Sequence, residues 1–183
     1  LNVSAVGFLA YVFLAINRLR LSGASLAALF TMMGFAFFGK TLFNCLPIML
    51  GVSLSAFLVR KKPRDYALIA MFGTAMGPFI TFIAFELGVK SVFSLPISFA
   101  IGLGIGLILP PMAIAMLRLH QGYSLYNMGL TAGFLGLFAA SIFHAAGADI
   151  LPLETWGTTH SPILVALLPF VLLVALFCIV MED

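Results

Sequence analysis

Charge is what this sequence has least of. Only 8% of its 183 residues are Asp, Glu, Lys or Arg, whereas 63% are hydrophobic and the mean hydropathy is +1.20. A soluble domain carries about 25% charged residues, so this composition excludes one. Apolar runs of about 20 residues recur along the chain, and each is long enough to cross about 30 Å of hydrocarbon as a helix. The sequence therefore predicts an all-α, polytopic helical membrane protein.

Groups suited to covalent or metal chemistry are also scarce. The two cysteines, Cys45 and Cys178, sit in apolar sequence, which predicts packed thiols rather than a disulfide or metal framework. His120, His144 and His160 lack the spacing of metal ligands. No Gly-x-Ser-x-Gly element, P-loop or pair of buried carboxylates is present. We therefore predict no enzymatic activity, no metal and no cofactor, and the net charge of +3 does not indicate nucleic-acid binding.

Seven apolar segments are the candidates for membrane crossings. Their approximate bounds are 3–17, 25–41, 43–59, 67–86, 93–117, 123–146 and 162–181. The segment at 123–146 is rich in glycine and could instead form a re-entrant element, which needs a protein or water lining for its backbone. The prediction is thus six or seven transmembrane segments in a single domain, 1–183.

The basic residues give this topology a direction. If every segment crosses, seven of the nine basic residues fall on one side: Arg18, Arg20, Arg60, Lys61, Lys62, Arg64 and Arg118. The positive-inside rule assigns that side to the cytoplasm. The N-terminus then lies outside, and we expect the protein in a bacterial inner membrane.

Two similar polar sequences interrupt the apolar runs. TLFNCLP at 41–47 and SLYNMG at 124–129 each place an asparagine after a hydroxyl residue, a leucine and an aromatic ring. Three crossings separate them, so they begin helices of opposite direction. This pattern predicts an inverted repeat, with halves at 39–120 and 121–183, around a solute site near the bilayer midplane. The alternative is that Asn44 and Asn127 are independent helix caps.

The same sequences resemble two families. FNCLP at 43–47 and GYSLYN at 122–127 are similar to the Phe-x-Asn-Asn-Pro and Gly-Leu-Tyr-Gly-Phe-Asn elements of urea transporters, although a single asparagine precedes the proline here. The chain also resembles an uncharacterised family of bacterial multipass membrane proteins of about twice its length. Either resemblance covers 39–143. It implies one half of a transporter, so that this chain is either a piece of a longer polypeptide or must find a partner half or a second copy of itself.

The candidate substrate and pore residues cluster around the two asparagines. Amide groups offer donors and an acceptor, and flat rings can wall a pore that strips water from a small solute. The set is Asn44, Asn127, Phe43, Tyr126, Lys40, Thr41, Ser124 and His144, with Thr74 and Thr131 as second contacts. Lys40 favours an anion if it faces the pore, but we expect its long side chain to extend to the membrane interface instead.

These residues predict a channel or secondary transporter for a small polar solute. The urea resemblance implies a urea-like amide, whereas Lys40 favours a small anion. The expected partners are the lipid bilayer, the solute, and a second copy or partner half. The alternative is a substrate-binding membrane subunit of a larger transport complex. An enzyme built on His144 is disfavoured because no nucleophile or carboxylate accompanies this residue at membrane depth.

Overall fold

A computed structural model describes residues 1–85, 93–123 and 126–147, together with Ile163 and Leu167. The chain divides into two units, Leu1–Asp149 and Ile150–Asp183. Apart from the last two positions, the described residues all belong to the first unit. Over these residues the structure is helical with no strand, which confirms the predicted all-α class. The seventh apolar segment, 162–181, lies almost wholly outside the described residues.

Six helices account for the first six apolar segments. They are α1 (Asn2–Ile16), α2 (Gly23–Phe38), α3 (Leu42–Leu58), α4 (Pro63–Phe85), α5 (Ser94–His120) and α6 (Asn127–Ala145). The last turn of α2 is a 3₁₀ turn, Ala36–Phe38, and a second 3₁₀ turn, Thr74–Met76, interrupts α4. Helix α6 is continuous, so within the described residues 123–146 is not a hairpin of two half-helices.

Three of these helices are long and apolar enough to cross a membrane, namely α4, α5 and α6. Helices α1, α2 and α3 are apolar but have fewer than 18 residues each, short of the roughly 20 that a straight crossing needs. The structure thus supports a helical membrane protein, and it leaves the number of crossings as a prediction.

Helices α3 and α5 form the closest packing in the first unit. A Cβ atom on Gly51 would overlap the carbonyl oxygen of Leu103, and one on Gly106 would overlap the carbonyl oxygen of Ile48. The two backbones are therefore in direct contact, which only glycine permits at these positions. Within the sequence GLGIGLILPPM of α5, Gly102 and Gly106 are closely packed, whereas a Cβ on Gly104 would meet nothing within 4 Å.

Candidate functional site

Asn44 lies in the first turn of α3, where it caps the helix. The Thr41 hydroxyl accepts from the Asn44 N–H at 3.4 Å, and the Thr41 N–H donates to Asn44 Oδ1 at 2.8 Å, which makes a reciprocal capping box. The Asn44 amide nitrogen donates to the Gly39 carbonyl at 3.0 Å and to Thr81 Oγ1 at 2.9 Å, which ties α3 to α4. Asn44 is fully buried, and both of its amide hydrogens are engaged.

Lys40 lies just before this cap, and its side chain points into the protein. The residue is only 2% exposed, and its Nζ donates to Thr74 Oγ1 at 2.8 Å. The ammonium also lies 5.0 Å from the centre of the Phe35 ring. The expected extension of Lys40 to the membrane interface is therefore wrong. Asp65, the one acidic residue that the structure describes, is exposed in the first turn of α4 and does not pair with Lys40.

The turn that carries Lys40 is held by backbone and amide groups. Gly39 adopts φ +93° after the end of α2, and the Lys40 N–H donates to the Phe35 carbonyl at 3.2 Å. The Asn2 amide donates to the Ala36 carbonyl at 2.8 Å and to the Lys40 carbonyl at 2.7 Å. These donors occupy carbonyls at the end of α2 without using the ammonium.

Thr74, whose hydroxyl accepts a hydrogen bond from the Lys40 ammonium, is the first residue of the 3₁₀ turn in the middle of α4. Its hydroxyl donates to the Met71 carbonyl, so its oxygen is free to accept from Lys40. Thr74 is fully buried. A 3₁₀ stretch inside a helix often marks a functional hinge, and broken helices commonly line the solute sites of transporters.

A groove of about 510 Å³ runs between α2, α4 and α6. Its lining is mostly apolar and comprises Thr31, Phe35, Ala75, Met76, Pro78, Phe79, Tyr126, Gly129, Ala132, Gly133 and Gly136. Phe35 belongs both to this lining and to the surroundings of the Lys40 ammonium. Ala75 and Met76 directly follow Thr74 in the chain. The groove wall and the buried charge therefore share the Phe35 ring.

Asn127 opens α6 and joins it to α5. Its Oδ1 pairs with His120 Nε2 at 2.9 Å, and its amide nitrogen donates to the Ala113 carbonyl at 2.9 Å. The Gly122 N–H donates to His120 Nδ1 at 3.2 Å, so Nε2 carries the proton that Asn127 accepts. Asn127 is half-buried, and its amide partners differ from those of Asn44.

We expect Asn127→Ala to lower the free energy of unfolding by about 1–2 kcal/mol, because two hydrogen bonds between α5 and α6 are lost. His120→Ala breaks one of the same bonds, so the effects of the two substitutions should be less than additive in a double-mutant cycle. Asn17→Ala is the matched control, since in the described part of the chain that amide bonds only to the Phe13 carbonyl one turn earlier. Unfolding followed by circular dichroism in detergent tests this. Strict additivity would contradict the coupling.

The other predicted site residues are dispersed. The rings of Tyr126 and Phe72 meet edge to face with centroids 5.3 Å apart, and Tyr126 lines the groove. Phe43 instead packs on Phe85 at 6.3 Å, and His144 is exposed in the last turn of α6. Ser124 lies outside the described residues. The roles of these residues in solute binding stay predictions.

Sequence reasoning did not select Phe35 or Thr81. Phe35 was one phenylalanine among 19. A partial signal for its position was available, because a glycine such as Gly39 commonly ends a helix and turns the chain back on its last turn. Thr81 had no local signal, because its bond to Asn44 spans 37 residues.

Six apolar helices, three of spanning length, and a polar cluster buried among them define a helical membrane protein. Residues 1–145 match the family described as protein of unknown function (DUF1576), and the chain belongs to that family. No curated protein and no solved structure matches the chain. The match agrees with the resemblance to an uncharacterised family, whereas none of these comparisons shows a similarity to urea transporters.

Proposed function

We propose that this protein is a channel or secondary transporter for a small polar solute. The observation that carries the proposal is the buried ammonium of Lys40, which has one hydroxyl partner and no carboxylate among the described residues. A charged group inside a membrane protein is costly, and such groups are kept chiefly along solute and ion pathways. The break in α4 and the neighbouring groove supply the hinge and the access that such a pathway needs.

The membrane arrangement forms part of the same proposal. We propose six or seven crossings in a bacterial inner membrane, with the basic loops in the cytoplasm and the two asparagine elements related by an inverted repeat. Support for the repeat is that Asn44 and Asn127 both lie in the first turn of a helix, α3 and α6. The groove is open along one side, so we further propose that a second copy or a partner half completes the pathway.

Solute flux into liposomes tests this function. Purified protein is reconstituted, and the entry of urea and of chloride is followed by stopped-flow light scattering, with valinomycin and potassium present to balance charge. We expect entry of at least one of these solutes to be faster than in protein-free liposomes, and entry of sucrose to be unchanged. If neither small solute enters faster, with correctly inserted protein, the transport proposal is contradicted.

A further inference from the structure

We infer that Lys40 forms the binding site for a small inorganic monoanion, of the size of chloride or nitrate, and that the Phe35 ring is the gate to it. This inference rests on the proposed transport function and names its solute class. It depends on three observations: the unused donors of the ammonium, the absence of a compensating charge among the residues that the structure describes, and the contact of one ring with both the ammonium and the groove.

The ammonium retains donors that the surrounding described residues do not satisfy. An ammonium has three N–H groups, and the structure gives Nζ of Lys40 one acceptor, Thr74 Oγ1. The Asn44 amide has no free N–H to donate to a urea-like solute, because both of its hydrogens already bind Gly39 and Thr81. The groups at this site that can still form hydrogen bonds are therefore positively charged donors, and these bind an anion.

The described residues also place no acidic side chain against this positive charge. The carbonyls near the end of α2 do not accept from the ammonium: the Phe35 carbonyl accepts from the Lys40 N–H, and the Ala36 and Lys40 carbonyls accept from Asn2. On the other side, Lys40 precedes the N-terminus of α3, where the helix dipole is positive and favours an anion. One unit of unbalanced positive charge fits a monoanion better than a dianion.

Phe35 contacts both the groove and this charge. Its ring is 5.0 Å from Nζ, it lines the groove, and it is 48% exposed, so it is not locked in a packed core. A cation–π contact of this kind is weak enough for an anion to replace. Rotation of the ring would connect the groove to the ammonium, and the apolar groove lining would strip water from the ion on the way.

The binding half of the inference is tested by thermal unfolding in detergent. Chloride replaces gluconate at constant ionic strength, and a ligand that binds the folded state raises the melting temperature in a saturable manner. We expect this rise in wild-type protein and in Lys40→Arg, and its loss in Lys40→Met, which keeps a similar volume. Lys40→Met should fold, because an apolar side chain replaces an unpaired buried charge. An equal chloride effect in wild type and Lys40→Met would overturn the site.

The gate is tested by chloride flux in liposomes. Phe35→Ala should raise the rate of chloride entry several-fold, and Lys40→Met should reduce it to that of protein-free liposomes. Phe37→Ala is the matched control, since that ring is 60% exposed and does not belong to the groove lining. Equal rates in Phe35→Ala and Phe37→Ala would overturn the gate. Urea entry without any chloride effect would overturn the anion inference but leave the transport function standing, whereas no flux of either solute would contradict that function.

Discussion

Gly106→Ala is expected to lower the free energy of unfolding by about 2–3 kcal/mol, the upper range for overpacking a tight core. The added methyl would overlap the Ile48 carbonyl and would crowd the Cα of Gly51, so α3 and α5 must move apart. Rigid backbone atoms cannot rotate away from a methyl as a side chain can. Such a loss is a large part of a typical stability of about 5–15 kcal/mol, so the yield of folded protein should fall.

Gly104→Ala is the matched control for this prediction. It makes the same chemical change in the same helix, two residues away, where a Cβ would meet nothing within 4 Å. Because alanine favours a helix over glycine, Gly104→Ala should be neutral or slightly stabilising. Size-exclusion chromatography and thermal unfolding in detergent measure both variants. Equal stability of the two variants would show that α3 and α5 are not in backbone contact.

Asn44→Ala is expected to lower the free energy of unfolding by about 2–3 kcal/mol. The substitution removes the Asn44 half of the capping box, worth about 1 kcal/mol, and also the bonds from the buried Asn44 amide to the Gly39 carbonyl and the Thr81 hydroxyl. Thr81→Val removes only the bond between α3 and α4 and should cost about 1 kcal/mol. The same unfolding experiment measures both.

Ser53→Ala provides the control for Asn44→Ala, because among the residues that the structure describes the Ser53 hydroxyl bonds only to the Met49 carbonyl, within α3. Its stability should match that of the wild type. The outcome also separates the two interpretations of Asn44. Loss of stability supports the cap, whereas wild-type stability combined with lost solute flux would contradict it and assign Asn44 a solute contact.

The helices were largely predictable from the sequence. Apolar runs fix where helices form, because burying unpaired backbone groups in a membrane is too costly. The bounds of the first six segments accordingly agree with the helices to within a few residues. The break in α4 was missed, although Pro78 lacks the N–H that would bind the Thr74 carbonyl and so gave a signal. The contact of α3 with α5 was not predicted, since the partner of a glycine stripe depends on tertiary structure.

The site was less predictable, for reasons that particular residues show. The sequence around Lys40 is compatible with a buried side chain and with one at the membrane interface. The turn at Gly39 and the hydrogen bond to Thr74 place the side chain inside the protein. The two asparagine sequences look alike, but Asn44 closes a local capping box whereas Asn127 bonds across to α5. Similar sequences therefore do not form similar contacts here, and the inverted repeat stays a proposal.

The most direct test of the central claim is anion flux measured in wild-type and Lys40→Met proteoliposomes prepared side by side. The account predicts chloride entry well above that of protein-free liposomes for wild type, and entry at the protein-free rate for Lys40→Met despite correct folding and insertion. Chloride entry that is equal in the two proteins, or no faster than in protein-free liposomes, would contradict it.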